Sequence, residues 1–341
     1  MAIVGIERLV YAVADLEASQ RFFEDFGLVR EEAGGEGVGF LLPEGSRVVL
    51  LPWGHPSLPQ GSRVCGPGVH EVIWGVDSHQ GLERLVEGLA PQVEVRRGAD
   101  GVARFVTSFG VAMGLTVFTR KPVVCAPDPQ NAPGHVRRLN QHRKWRRRAL
   151  PKVISHVVFA VPDFDQAYRF MIDKLNFRLT DNQRGFGIYL RADGTHNHHN
   201  FLLLNANAPL PDMDGSVKFH HANFGVEDID EIMVGANYMV RRGWEPSHFG
   251  LGRHRIDSAL FYYLPCPAGG EAEYGADSDC VDDSWVPRDW DHPLFAYAHY
   301  VHNLPPFLRN EPVWNFNYLG PAPTAGPMPA AGPEGPAGAK S

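Results

Sequence analysis

The chain has 341 residues, 44% of them apolar and 21% charged, with a formal net charge of −7. That length has room for two domains with full cores, and the composition excludes a disordered chain. The acidic excess argues against a nucleic-acid partner. A membrane partner is not expected either, because no apolar run approaches the roughly 18 to 20 residues that cross a bilayer.

The opening stretch MAIVGIERLVYAVAD lacks a basic segment ahead of an apolar one, so it does not read as a signal peptide. Cys65, Cys125, Cys266 and Cys280 are scattered and form no CxxC pair. That pattern predicts buried, reduced thiols in a cytoplasmic protein. Histidine is abundant, at 16 residues, which makes a metal or proton-transfer site worth seeking.

Taken in order, the chain repeats itself. Residues 6–28, IERLVYAVADLEASQRFFEDFGL, read as a strand, an Asp-marked turn and an amphipathic helix with Leu16, Phe22, Phe23 and Phe26 on its apolar face. Residues 69–89, 154–177 and 219–243 follow the same plan. Each is trailed by short strand-like runs broken by Gly, Pro, Asn or Asp. The fold class expected is therefore α+β, with four βαβββ units, two in each half.

Residues 121–150 separate the halves. They carry CAPDPQNAP near their start and the basic run RRLNQHRKWRRR near their end, and are expected as a solvated linker or as a connecting helix packed through Leu139 and Trp145. Beyond residue 276 the chain is rich in aromatic residues and should pack on the second half. Residues 321–341 are Pro, Ala and Gly with little to bury, and read as a disordered tail. The expected organisation is thus a first domain over 1–120, the linker 121–150, a second domain over 151–320 and the tail.

The stretch FHHANFGVED, residues 219–228, matches ISHVVFAVPD, residues 154–163. His221 falls on His156, Phe224 on Phe159, Val226 on Val161 and Asp228 on Asp163. Downstream, GGEAEYGAD carries Glu273 in a third strand-like run, with Glu271 a rival of the same parity. Two imidazoles and a carboxylate on separate strands are the parts of a facial metal triad, which leaves the opposite side of an ion open. In the first half, Arg8 and Glu71 stand where these histidines would, and His70, one residue off, should face the other side of its sheet. The first half reads as a metal-free structural duplicate.

This arrangement resembles the two-domain type I extradiol catechol dioxygenases of the vicinal oxygen chelate superfamily, over roughly residues 3–276. The resemblance is weak in the first half and specific in the second. It implies a vicinal oxygen chelate fold with the active site in the C-terminal barrel and His156, His221 and Glu273 as ligands of Fe(II), with Mn(II) an alternative. HHNFLLL, residues 198–204, resembles the family's catalytic-histidine strand, which puts His199 in the acid–base role and His196 and His198 in the preceding turn. GRHRID, residues 252–257, resembles its GRH-x-x-D turn, giving His254 to hydrogen-bond substrate and Asp257 to orient His254. Tyr263 stands ten residues before Glu273, as the family's active-site tyrosine does. Tyr189 is expected to line the pocket. The implied partners are a catechol-type aromatic and O2, and the implied assembly a homo-oligomer. The alternatives are a glyoxalase-like isomerase or lyase of the same superfamily, or a small-molecule-binding protein without catalysis. His248, His292, His299 and His302 receive no role.

Overall fold

The computed structural model describes residues 2–31, 37–209, 213–291, 293–310 and 315–323. His292 and residues 324–341 of the expected tail lie outside them. All four expected units are present. The first comprises β1 (Ile3–Val13), α1 (Leu16–Phe26), β2 (Val29–Glu31), β3 (Val38–Leu41) and β4 (Arg47–Pro52). The second runs through β5 (Gly68–Val76), α2 (His79–Leu89), β6 (Arg96–Arg97), β7 (Ala103–Val106) and β8 (Ala112–Val117). In the second half, β9 (Val153–Val161), α3 (Phe164–Leu175), β10 (Arg178–Gln183), β11 (Gly187–Arg191) and β12 (Phe201–Asn205) form the third unit. The fourth is β13 (Lys218–Gly225), α4 (Ile229–Arg241), β14 (Gly252–Arg253), β15 (Leu260–Pro265) and β16 (Glu271–Ala276).

Each of these four helices begins on a side-chain cap that the sequence supplies. Asp15, Ser78, Asp163 and Asp228 accept from the backbone N–H three residues on, at 2.9, 3.1, 2.9 and 2.9 Å. Helix α1 stops at Gly27, whose φ of 114° suits glycine alone. A Cβ there would also lie 2.3 Å from the Ala149 carbonyl oxygen.

The first half forms an eight-stranded sheet and the second an eleven-stranded one. Both repeat one pairing scheme. The leading strands of the two units run antiparallel, β1 with β5 and β9 with β13, and each unit's last strand lies parallel to its first. The expected barrel is an open one, because the strand order of the larger sheet is linear. The aromatic segment after residue 276 extends that sheet through β17 (Arg288–Trp290), β18 (Tyr300–Val301) and β19 (Asn317–Tyr318), with α5 (Pro293–Tyr297) between the first two. It packs on the second half as expected.

One continuous core joins the halves. Trp74 of β5 meets Phe177 and Phe201 of the second half edge-on, at 5.0 and 5.9 Å between ring centroids. Phe26 stacks on Tyr274 at 4.0 Å, and the Tyr274 hydroxyl donates to the Phe26 carbonyl at 2.7 Å. Strand alternation then divides the second half. Val157, Phe159, Val161, Phe201 and Leu203 face this core, whereas Val158, Ala160, Leu202 and Leu204 face a second apolar cluster on the other side.

Of its two expected forms the linker takes the solvated one: it forms no helix, and Leu139 and Trp145 are 74% and 88% exposed. Its basic residues instead bind the acidic start of α4. Arg143 pairs with Asp230, Lys144 with Glu227, and Arg146 with Glu227 and Asp228. Charge rather than burial positions the segment, a feature that apolar periodicity could not reveal. The cysteines are free, but Cys65, Cys125 and Cys280 are exposed rather than buried.

Removing Trp74 would open a cavity at the joint between the halves. Trp74→Ala is expected to cost roughly 3–5 kcal/mol. Urea unfolding followed by fluorescence and circular dichroism should show a single transition at a lower midpoint. Separate transitions for the two halves would contradict a shared core.

Candidate metal centre

Strands β9, β13 and β16 are neighbours in the second sheet, and each carries one residue of the candidate triad. A register shift between Phe219 and His221 gives β13 one extra residue opposite β9. Such a bulge re-aims a side chain and accounts for the His220–His221 doublet. His156 Nε2 lies 3.2 Å from His221 Nε2, and Glu273 Oε2 lies 3.3 and 3.4 Å from these two nitrogens. All three residues are buried, and Glu273 Oε2 has no hydrogen-bond donor. Three lone-pair donors so placed repel one another unless a cation lies among them. Burial, then the neighbouring His220, push the His221 pKa well down, toward the neutral form that ligates metal. His220 Nδ1 meets His221 Nδ1 at 2.7 Å and fixes the ring from behind. The donor set fits a divalent transition-metal ion with open positions.

Glu271 is kept apart from this cluster. Its carboxyl lines the same cavity and is pushed up to about 7, by burial first and Glu273 second.

His199 lies just before β12, buried, with its ring 4.1 Å from that of His156 and 5.0 Å from that of Tyr189. Burial, followed by His156, pulls its pKa well below the ordinary histidine value. His198 lies in the turn before β12, as expected, but is not solvated. It is fully buried, with Nε2 2.8 Å from Asp181 Oδ2 and Nδ1 3.2 Å from His199 Nδ1. Its signal in the sequence was the histidine doublet itself, parallel to His220–His221. Asp181 and its partner Arg288 left no local signal.

The expected Asp257–His254 pair does not form. Asp257 lies 3.8 Å from His199 Nδ1 and accepts from Ala259 N–H and the Ser278 hydroxyl. The turn that follows His254 carries Asp257 toward the His198–His199 pair. His254 Nδ1 instead meets the Tyr297 carbonyl at 2.6 Å, and its Nε2 meets the Tyr263 hydroxyl at 3.2 Å. A carbonyl only accepts, so Nδ1 donates, and Nε2 of the neutral ring accepts from Tyr263. Tyr189 lines the cavity and donates to Gln183 Oε1 at 2.7 Å.

The triad, His199, His254 and Tyr263 share one cavity of about 770 Å³. Away from the triad much of its wall is apolar, including Phe186, Leu202, Met213 and Phe249. The C-terminal segment adds Leu294, Tyr297 and Phe307. His248 stands exposed in the lining.

The matching place in the first half is filled differently. The strand registers put Arg8 in the place of His156, Glu71 in that of His221, Gly114 in that of Glu273 and Arg104 in that of Tyr263. Arg104 bridges Glu71 at 3.2 Å and Asp100 at 2.7 Å, and Arg8 reaches Glu7 at 3.3 Å. Guanidinium groups there compensate the buried carboxylates. His70 turns away and meets the Gly66 carbonyl at 2.9 Å.

Residues 153–261 match the profile of the Glyoxalase/Bleomycin resistance protein/Dioxygenase superfamily. Metapyrocatechase 2 of Cupriavidus necator is 32% identical over 145 residues, 42% of this chain and 42% of its own length. An iron-dependent extradiol dioxygenase of Rhodococcus jostii is 31% identical over 149 residues, 40% of this chain and 47% of its own. The matched stretch thus spans less than half the length of these relatives. Among solved structures, a halotolerant catechol dioxygenase superposes with a TM-score of 0.66 at 16% identity, over 93% of this chain and 99% of its own. A Mn(II)-bound glyoxalase from Novosphingobium aromaticivorans gives 0.66 at 19% identity, over 87% and 91%. These likenesses bear on the fold, which is of the vicinal oxygen chelate type.

Each of His156→Ala, His221→Ala and Glu273→Ala is expected to abolish stoichiometric retention of a divalent metal while the circular dichroism spectrum persists. Arg8→Ala and Glu71→Ala should leave metal content unchanged. Metal analysis after gel filtration checks both, and full occupancy in any of the first three would remove that residue from the ligand set.

Proposed function

We propose that this chain, whose residues 153–261 carry a domain of the Glyoxalase/Bleomycin resistance protein/Dioxygenase superfamily, is an extradiol dioxygenase. It would open a catechol-type ring beside its hydroxyl pair and place both atoms of O2 in the product. The observation that carries this reading is the unpartnered Glu273 Oε2 between two histidine nitrogens, facing a cavity that also holds His199, His254 and Tyr263. The named activities of Metapyrocatechase 2 and the iron-dependent extradiol dioxygenase support it.

His156, His221 and Glu273 would hold Fe(II), with Mn(II) compatible with the same donors. When bound, such an ion supplies Lewis acidity toward the catechol oxygens and an open side for oxygen. The remaining work falls to side chains. His199, held neutral by burial, accepts a catechol hydroxyl proton and returns it during ring opening. Substrate would take the place of the 3.2 Å contact between His254 and Tyr263: His254 Nε2 then accepts from it, and the freed Tyr263 hydroxyl donates to oxygen at the reacting end. The apolar walls keep bulk water away from these transfers.

The direct test is oxygen uptake by Fe(II)-loaded protein on addition of catechols, with a yellow ring-opened product. No uptake with any catechol, beside turnover of a hemithioacetal substrate, would favour an isomerase and sink this reading.

The cavity also favours a substrate class. Its lining includes Phe186, Leu202, Met213, Leu294 and Phe307, and Lys218 on its rim pairs with Asp214 at 2.8 Å. Catechols with apolar substituents should therefore show higher kcat/KM than those with carboxylates. Each extra buried methylene contributes about 0.8 kcal/mol, up to about fourfold. Equal kcat/KM for 3-phenylcatechol and 3-carboxycatechol would contradict this.

His199→Asn and His199→Phe should keep metal and bind catechol anaerobically, with turnover lowered by about two to four powers of ten. Loss of metal would make His199 a ligand. Full turnover would move the proton-transfer role to His254.

A further inference from the structure

A buried chain of polar groups runs behind His199 to the C-terminal segment. Asp181 of β10 is fully buried, and Arg288 of β17 grips it from the parallel neighbouring strand. Arg288 donates its backbone N–H and Nε to Asp181 Oδ1 at 2.8 and 2.9 Å, and Nη2 to Oδ2 at 2.5 Å. The guanidinium is itself held over the rings of Trp285 and Trp290, 4.7 and 4.9 Å from their centroids. Asp181 Oδ2 also meets His198 Nε2 at 2.8 Å, and His198 Nδ1 meets His199 Nδ1 at 3.2 Å.

The direction of each bond follows from what its members can do. A carboxylate only accepts, so His198 carries a proton on Nε2. Arg288 already balances the charge of Asp181, so the pair does not require a cationic His198. Nδ1 of a neutral His198 is then an acceptor, and the proton in the next bond belongs to His199 Nδ1. Asp257 Oδ2, 3.8 Å from the same nitrogen, favours a proton there as well. His199 Nε2 is left bare.

We infer that His198 is a positioning residue which, braced by Asp181 and Arg288, holds His199 in the tautomer whose Nε2 can accept a substrate proton. This inference rests on the acid–base role proposed for His199. It assigns the C-terminal segment a part in the site beyond lining the cavity.

Three substitutions separate the links. His198→Leu removes both. His198→Gln can still donate to Asp181 but carries its carbonyl oxygen away from where Nδ1 was. His198→Asn keeps an acceptor where Nδ1 was and gives up Asp181. All three should retain metal and leave KM for catechol within about twofold. Turnover should fall about ten- to a hundredfold in the Leu and Gln variants, and the Asn variant, which keeps the acceptor but loses the brace, should recover part of it. Independently of turnover, nitrogen NMR of zinc-loaded protein should find the His199 proton on Nδ1 in the wild type and distributed over both nitrogens in the Leu and Gln variants. A wild-type proton on Nε2, or an Asn variant no faster than Leu, overturns the inference. Wild-type protein that shows the Nδ1 proton yet consumes no oxygen with any catechol would instead overturn the proposed activity.

Discussion

A carboxylate oxygen buried against two imidazole nitrogens, with no proton donor of its own, is the constraint around which the second half is organised. An uncompensated buried charge is costly, and leaving one partner of such a group unpaired typically costs about 3–5 kcal/mol. The arrangement is sustainable with a cation among the three atoms. The fold supplies what such a site requires. Adjacent strands fix the spacing of the ligands, and the apolar face behind them joins a core shared with the first half. The bulge at His220 aims one ligand and places a second histidine behind it.

The first half is therefore a structural partner rather than a spare. Trp74 sits against Phe177 and Phe201, and Phe201 opens the strand that directly follows His199. Movement at this joint would reach the strand beside the proposed proton acceptor, and Tyr11 against Phe219 ties the same joint to the strand of His221. The polar brace of Asp181 and Arg288 approaches His199 from the other direction. Packing and hydrogen bonding thus fix the ring from opposite sides of one sheet.

Much of this was legible in the sequence because it was local or periodic. Asp15, Asp163 and Asp228 marked helix starts, and alternating apolar residues marked the leading strands. The repeated stretches at 154–163 and 219–228 brought His156 and His221 into correspondence. Glu271 and Glu273 share a face by parity, and only the spatial arrangement shows which oxygen meets both nitrogens. The relationships that escaped were non-local. Asp257 falls near His199 rather than His254 because of the turn between them. Tyr297, which meets His254, comes from a segment the repeat does not describe. The linker has no apolar period to read, and its charges are matched by acids at the start of α4.

The ion-pair cluster in the first half has an evolutionary consequence. If the two halves arose by duplication, the route back to a second metal site is closed to single steps. Arg8 and Arg104 occupy the places of a ligand and a tyrosine, and both neutralise buried acids. Replacing Arg104 alone strands Glu71 without its nearest countercharge before any ligand set exists, whereas Glu7 would keep Arg47 at 3.0 Å if Arg8 were lost. Gly114 must also become a carboxylate in space where a Cβ would lie 2.7 Å from Val102. The Arg104 and Gly114 steps lose stability before an ion is gained, so the asymmetry between the halves is a ratchet that neutral drift does not easily reverse.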